Sequence, residues 1–254
     1  MLCARLRPSN IGPAVGSRKE VERIVTQIRQ RWPDVGIILR GDSGFCADEL
    51  LTWCEENRVD YVVGVARNRR LEGLIEGPLA EAKQQFEATQ QPARNFVEFE
   101  HKTLQGAWNK DRRVVAKAEH INGKSNPRFV VTSLDAERWE KQELYEGLYR
   151  GRGDMDNRIK EQFVLFADRV SVSTMRGNQL RIYLSVMAYT LMNGLRRLGL
   201  KATEMATAQM GTIRLKVLKI GALIQVTVRK VWVRLASSYP YQALFSQVLQ
   251  QLRS

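Results

Sequence analysis

The amino-acid sequence predicts an α/β fold: a mixed sheet with flanking helices, interrupted by a β-rich insertion and followed by a basic α+β C-terminal region. Three observations predict it. Between residues 16 and 66, segments of helical period alternate with short apolar runs, the rhythm of strands covered by helices. Between residues 96 and 134, three strand-like runs follow one another, and Asn122-Gly123 joins the last two as a hairpin turn. Beyond residue 175, basic and apolar residues intermix with almost no acids.

Residues 2–6 alternate apolar and basic residues at period two, which predicts a strand. Gly16-Ser17 opens a helix over residues 21–32, with Val21, Ile24, Val25 and Ile28 on one face, and Pro33-Asp34 stops it. Residues 35–39 are a short apolar run, expected as a strand buried on both faces. It leads into Arg40-Gly41-Asp42-Ser43-Gly44. A second helix is expected over 47–57 and a second buried strand over 61–66. Residues 67–94 are polar and poorly periodic, with a weak helix around 79–88.

The three runs at 96–104, 113–120 and 128–134 predict strands. Residues 137–167 return to helix, and 180–195 form a long apolar helix. Residues 213–236 alternate basic and apolar side chains and are expected as strands, with Gly221 and Thr227 fitting strand better than helix. A last helix spans 241–252. This gives four regions: 1–66 and 135–200 as two parts of one core, 67–134 as a β-rich insertion, and 201–254 as a basic C-terminal region.

Composition narrows the function. The 254 residues are 44% hydrophobic and 26% charged, as in an ordinary globular chain, yet the net charge is +13. That charge is localised. Residues 175–254 hold twelve Lys and Arg against one acid, Glu204. A basic third on a near-neutral body points to a polyanion, most often nucleic acid. Three cysteines without a CxxC pair (Cys3, Cys46, Cys54) and only two histidines (His101, His120) argue against a Cys/His zinc site. The cysteines read as reduced, mostly buried thiols of a cytoplasmic protein, and the histidines as strand-surface residues. No basic-then-apolar leader opens the chain, and no apolar run has membrane-spanning length.

Two segments carry candidate chemistry. Asp42 ends a strand between Gly41 and Ser43-Gly44, where ligands gather in open α/β sheets and where a carboxylate can reach a hard cation. An Asp there also serves as a turn or helix cap. The second segment, Tyr149 to Glu161, is dense in charges of both signs. Asp156 and Lys160 are i and i+4 on one helix face, with Arg152 a turn earlier. A solvated face laced with ion pairs reads the same way. Trp108 is expected as core packing, with stacking on an extruded base as the alternative.

In order and spacing, these segments resemble the DDE-type transposases of bacterial insertion sequences, of the RNase H-like superfamily, in the branch with a Tyr–Arg–Glu–Lys signature and a β insertion. Arg40-Gly41-Asp42-Ser43-Gly44-Phe45 is similar to the strand bearing the second catalytic Asp. Tyr149, Arg152 and Asp156 have the Y-x2-R-x3-acid spacing, and Asn157-Arg158-Ile159-Lys160-Glu161 is similar to its continuation. Leu6-Arg7-Pro8-Ser9-Asn10 and Leu218-Lys219-Ile220-Gly221-Ala222 are also similar to the family.

The resemblance implies a partial RNase H-like core and Mg²⁺- or Mn²⁺-dependent DNA strand cleavage and transfer. Asp42 and Asp156 would be the catalytic metal ligands, and Tyr149, Arg152, Arg158 and Lys160 would contact DNA. The partners would be element ends and target DNA, bound by a homo-oligomer associated with the bacterial nucleoid. The sequence departs from the pattern in three places. Asp156 stands where the family has Glu, with Glu161 as the other nearby acid. Phe163 stands at the family's Lys, so Lys160 would substitute. No residue upstream of Leu2 supplies the first catalytic Asp. The expectation is therefore a C-terminal part of such a protein, inactive by itself. A non-catalytic DNA-binding remnant and a related RNase H-like nuclease are the alternatives.

Overall fold

The computed structural model describes residues 2–103, 107–167 and 171–253, without the side chains of Arg152, Asp154, Phe166 and Ala167. The chain is a mixed α/β protein that divides into two compact units, Pro8–Asp154 and Met1–Arg7 with Met155–Ser254. No helix among the described residues is long and apolar enough to cross a membrane.

The first unit is a helix-covered sheet. Its elements in order are α1 (Ser17–Arg31), β1 (Ile38–Gly41), a 3-10 turn (Ser43–Phe45), α2 (Asp48–Glu56), β2 (Asp60–Val65), α3 (Arg69–Leu74), α4 (Glu76–Thr89), β3 (Ala93–His101), β4 (Arg112–Ile121), β5 (Lys124–Ser125), β6 (Arg128–Thr132) and α5 (Lys141–Glu143). The strands form one sheet in the order β1-β2-β6-β4-β3, with β5 paired to β4. β1 and β2 are parallel, and every other pairing is antiparallel. The strands of residues 93–132 therefore extend the sheet that β1 and β2 begin.

Alternation along the strands builds two apolar layers. Tyr61, Val63, Val114, Ala116, Phe129 and Val131 face α1, α2 and α3, packing with Val25, Leu50, Leu51 and Leu71. Val62, Val115 and Val130 point the other way onto Leu144 and Tyr145. The hairpin turn is as expected: Asn122 and Gly123 have φ of 51° and 70°, the left-handed pair a two-residue turn needs.

Several expectations need correction in this unit. β1 begins at Ile38, and Ile38 and Arg40 are exposed. It lies at the sheet edge with a neighbour on one side only, so it is not buried on both faces. His101 and His120 are 6% and 8% exposed rather than surface residues. His101 sits edge-on to Phe99 and Trp108, and Phe86 of α4 covers His120. Packing of Phe86 from α4 contributes to the burial of His120, a contact between distant residues that the sequence pattern does not show. Trp108 is 3% exposed and belongs to the core, which removes it as a base-stacking platform. The expected strand end at Leu104 lies outside the described residues.

The second unit is mostly helical. It contains α6 (Gly153–Gln162) with a π-turn (Phe163–Ala167), α7 (Met175–Gly194) with a π-turn (Leu195–Gly199), and α8 (Met210–Ile213) with a π-turn (Arg214–Leu218). The hairpin β7 (Ala222–Val226) and β8 (Val231–Leu235) and then α9 (Gln242–Gln251) complete it. Leu165, Tyr189, Met192, Leu200, Met210, Ile213, Val217 and Val248 form its core.

Two strand expectations fail here. Residues 2–6 pair with no strand among the described residues. Instead the Leu6 N–H donates to Gln179 Oε1 at 2.7 Å, and Gln179 Nε2 donates to the Ala4 carbonyl at 2.9 Å. Residues 213–218 are helical, because Met210, Ile213 and Val217 share one buried face at helical spacing. The strands of this region start only at Ala222.

Candidate active site

The most developed site lies where β1 and β2 end. Their register sets Gly41 opposite Val63, so Asp42 and Gly64 follow as neighbours at the carboxyl ends of two parallel strands, the place where α/β sheets bind ligands. Asp42 is exposed, with extended backbone at φ −81° and ψ −179°. Its Oδ1 accepts the Gly44 N–H at 2.9 Å. Capping and ligation are thus not alternatives. The cap orients one carboxylate oxygen, and the group remains at the surface.

Tyr149 lies beside it. The segment Leu144–Tyr149 is π-helical, a geometry frequent at functional sites. The Tyr149 ring packs on Tyr145 at 5.4 Å between centroids, and Tyr145 packs on Phe96 at 5.6 Å with the Lys117 ammonium 5.5 Å from its ring. Burial, with smaller help from Tyr149, pushes the Tyr145 hydroxyl up to about 12, so it stays protonated in this apolar stack. A Cβ at Gly64 would stand 2.6 Å from Tyr149 Oη and 3.0 Å from the Ser43 nitrogen. The hydroxyl therefore lies over Gly64, next to the Asp42–Ser43 peptide.

Arg40 joins the two halves of this site. Its Nη1 donates to the Leu148 carbonyl at 2.8 Å and would stand 2.9 Å from a Cβ at Gly151. The last side chain of β1 before Gly41 thus holds the helical turn that carries Tyr149. Sequence reasoning singled out Asp42 and Tyr149 but missed Arg40 and Gly64. The signal for Gly64 was an isolated glycine inside an apolar strand, which marks a close approach.

The other candidates belong to the second unit. Asp156 and Lys160 are exposed on α6. Glu161 is committed elsewhere: its Oε2 accepts from Arg158 Nη1 at 2.7 Å and Tyr189 Oη at 3.4 Å, and its Oε1 accepts from Arg196 Nη1 at 3.5 Å. Glu161 therefore ties α6 to α7, and its side chain is only 11% exposed. Of the two acids, Asp156 is the one presented to solvent. Arg158, expected at DNA, spends one arm on Glu161. The Arg152 side chain lies outside the described residues.

A cavity of about 550 Å³ opens at the opposite end of β2, lined by Glu55, Asp60, Arg112 and Arg113 among others. Its charges answer one another. Arg112, 1% exposed at its side chain, binds Asp48 and Glu55 at 2.8 Å each. Arg113 binds Glu98 and the Leu134 and Trp139 carbonyls. This is a structural ion network rather than a second site.

Asp42 offers one carboxylate, a hard oxygen donor. It is an exposed carboxylate at a strand end, and among the described residues no three His, Cys, Asp or Glu side chains gather. A Mg²⁺ ion accepts that arrangement, since it binds through one or two carboxylates and completes its shell with water and phosphate oxygens. Lys219, Arg229, Lys230 and Arg234 are all exposed on the second unit.

Residues 1–254 match the family described as transposase DDE domain group 1, so the chain belongs to that family, whose work is DNA transposition. Membership of this family implies DNA binding. No curated protein matches the chain.

Proposed function

We propose that the chain supplies part of the active site of a Mg²⁺- or Mn²⁺-dependent transposase that cleaves DNA strands and transfers the cut end of a mobile element. The observation that carries this reading is the pairing of Asp42 with Tyr149 at the ends of β1 and β2. Bound divalent ions would activate the attacking hydroxyl and stabilise the leaving oxygen at phosphorus.

The chain's own groups have separate tasks. Asp42 and Asp156 are the metal ligands. The Gly44 N–H fixes the Asp42 carboxylate, so little reordering is needed when an ion arrives. Tyr149, packed against Tyr145, holds its hydroxyl toward the DNA backbone without swinging. Arg152, Arg158 and Lys160 take phosphate oxygens and offset their charge. The basic hairpin β7–β8 and its neighbours grip the duplex through phosphates, with affinity that falls as salt rises.

Two carboxylates are fewer than the three of a DDE site. β1 has an outer edge that no strand pairs with among the described residues. A strand added at that edge would end beside Asp42, and it is where a third acid belongs. The chain alone therefore binds DNA and metal but does not cleave. The acting form is a homo-oligomer that holds two element ends.

The test uses a labelled DNA duplex and supercoiled plasmid with Mg²⁺ or Mn²⁺. The expected result is salt-sensitive binding without nicking. Nicking by the parent chain would overturn its inactivity, and Mn²⁺ binding unchanged in Asp42→Asn would overturn the assignment of Asp42. Binding that does not respond to salt would overturn the DNA reading of the basic region.

A further inference from the structure

Helix α7 is apolar on two opposite faces, and the second unit uses only one of them. Ser185, Tyr189 and Met192 point into the core. On the other side Leu180, Leu184, Met187 and Leu191 are 57–73% exposed, with Tyr183 half exposed beside them. A contiguous exposed apolar stripe of this kind marks a contact surface.

We infer that this second face is a homodimer interface, in which α7 of one copy packs antiparallel on α7 of another. Three features select that occupant. The first is spacing. The exposed stripe runs at intervals of four, three and four residues, a mean of about 3.7, so all four side chains lie along one face of the helix. The core-facing side of α7 already supplies the broader face that packs a helix onto its own domain. The stripe is short, so it forms a helix pair of about three turns rather than an extended coiled coil.

The second feature is charge, which also sets direction. No charged residue lies in the stripe itself, so it is not a surface for a polyanion. Arg176 and Arg181 flank its start. In a parallel pair Arg176 of each copy would lie beside Arg181 of the other, two like-charge contacts that oppose association. Antiparallel pairing removes both. It sets Leu180 against Leu191 and Leu184 against Met187, and it moves the arginines toward Thr190 and Leu195. The contact is self-complementary, as a two-fold interface must be.

The third feature is area. The five exposed side chains of the stripe offer roughly 600 Å² per chain, the lower limit of a stable protein–protein interface. The dimer names the interface of the oligomer proposed above and rests on that reading for its purpose. Its formation needs neither metal nor DNA.

The test is the mass of the full chain in solution without DNA, by light scattering during gel filtration and by sedimentation. A concentration-dependent dimer is expected. Leu184→Glu and Leu191→Glu should each give monomer with an unchanged melting temperature, since both sites are exposed. Ile224→Glu, in the equally exposed β7, should leave the dimer intact. Should a glutamate variant fail to fold, Leu184→Ala and Met187→Ala provide the second readout, each weakening dimerisation about tenfold.

Direction is read by a short cross-linker. Leu180→Cys with Leu191→Cys should cross-link between copies, whereas Leu180→Cys alone should not, its partner lying roughly 16 Å further along the helix. A monomeric wild-type chain, including one whose own fold shields the stripe, would overturn the inference. So would a dimer indifferent to charge at 184 and 191. Cross-linking through Leu180→Cys alone would overturn the antiparallel arrangement. These outcomes are separate from those at Asp42, which are read with metal or DNA.

Discussion

The Tyr149 hydroxyl lies directly over Gly64, so close that a Cβ on residue 64 would stand 2.6 Å from it. The absence of a side chain in the middle of β2 is what lets a helical residue reach the end of β1 and stand beside Asp42.

Gly64→Ala therefore moves Tyr149. The Ser43 nitrogen, 3.0 Å from the same Cβ, belongs to the backbone and cannot swing aside, so the tyrosine must yield. The expected cost is about 1–3 kcal/mol of stability from overpacking. DNA affinity of the variant should fall to the level of Tyr149→Phe, measured by fluorescence anisotropy. If Gly64→Ala binds DNA like the parent while Tyr149→Phe does not, the close approach is not what positions the hydroxyl.

Glu161 and Asp156 should separate cleanly. Glu161→Gln weakens contacts to Arg158, Arg196 and Tyr189 and should cost about 1–3 kcal/mol. Asp156→Asn, at an exposed position, should leave thermal unfolding nearly unchanged. Equal destabilisation by the two variants would show that Asp156 is also structural.

Arg112 holds Asp48 and Glu55 together behind the sheet, with Thr52 and Asn109 completing its hydrogen bonds. Arg112→Met leaves Glu55 to Lys110 and Tyr61 and Asp48 to the Asn109 N–H, and should cost about 1–3 kcal/mol in chemical unfolding. A loss below about 1 kcal/mol would place this network in the class of surface ion pairs.

Acid should destabilise the sheet unit in two stages. Burial and the charge of Arg70 hold His101 below its ordinary 6.5. The unfolded chain therefore takes this proton first, and stability falls as pH drops below that value. Burial alone would raise Glu55, but hydrogen bonds from Arg112, Tyr61 and Lys110 prevail and hold it below 4.5. Burial is likewise overcome at Glu119 by Lys117, Asn126 and Arg94. Their contribution is present above 4.5 and is lost as pH falls through their folded values. Melting temperatures at pH 8, 6 and 4 should decline in that order, and a rise on acidification would contradict these environments.

Much of this was legible in the sequence because the informative residues act locally. Short apolar, strand-like runs marked β2, β4 and β6, Asn122-Gly123 marked the turn, and the Gly-flanked Asp42 marked a strand end. What was not legible depends on distant contacts. Residues 2–6 alternate like a strand, yet their hydrogen bonds go to Gln179. The histidines look like surface residues until α4 lands on His120. Residues 213–218 carry a basic-apolar alternation that masks the 210, 213, 217 helical face. Glu161 is tied into the helical core by Arg196 and Tyr189, more than twenty-five residues on, which local sequence does not reveal.

The central claim is that Asp42, set by its cap beside Tyr149, binds a divalent ion with DNA present. The most direct measurement is Mn²⁺ titration of the chain followed by electron paramagnetic resonance, with a DNA duplex in solution. Asp42→Asn should weaken Mn²⁺ binding ~10-fold or more while melting and salt-dependent DNA binding are retained. Unchanged Mn²⁺ affinity in Asp42→Asn would contradict the account and leave the carboxylate as a turn cap alone.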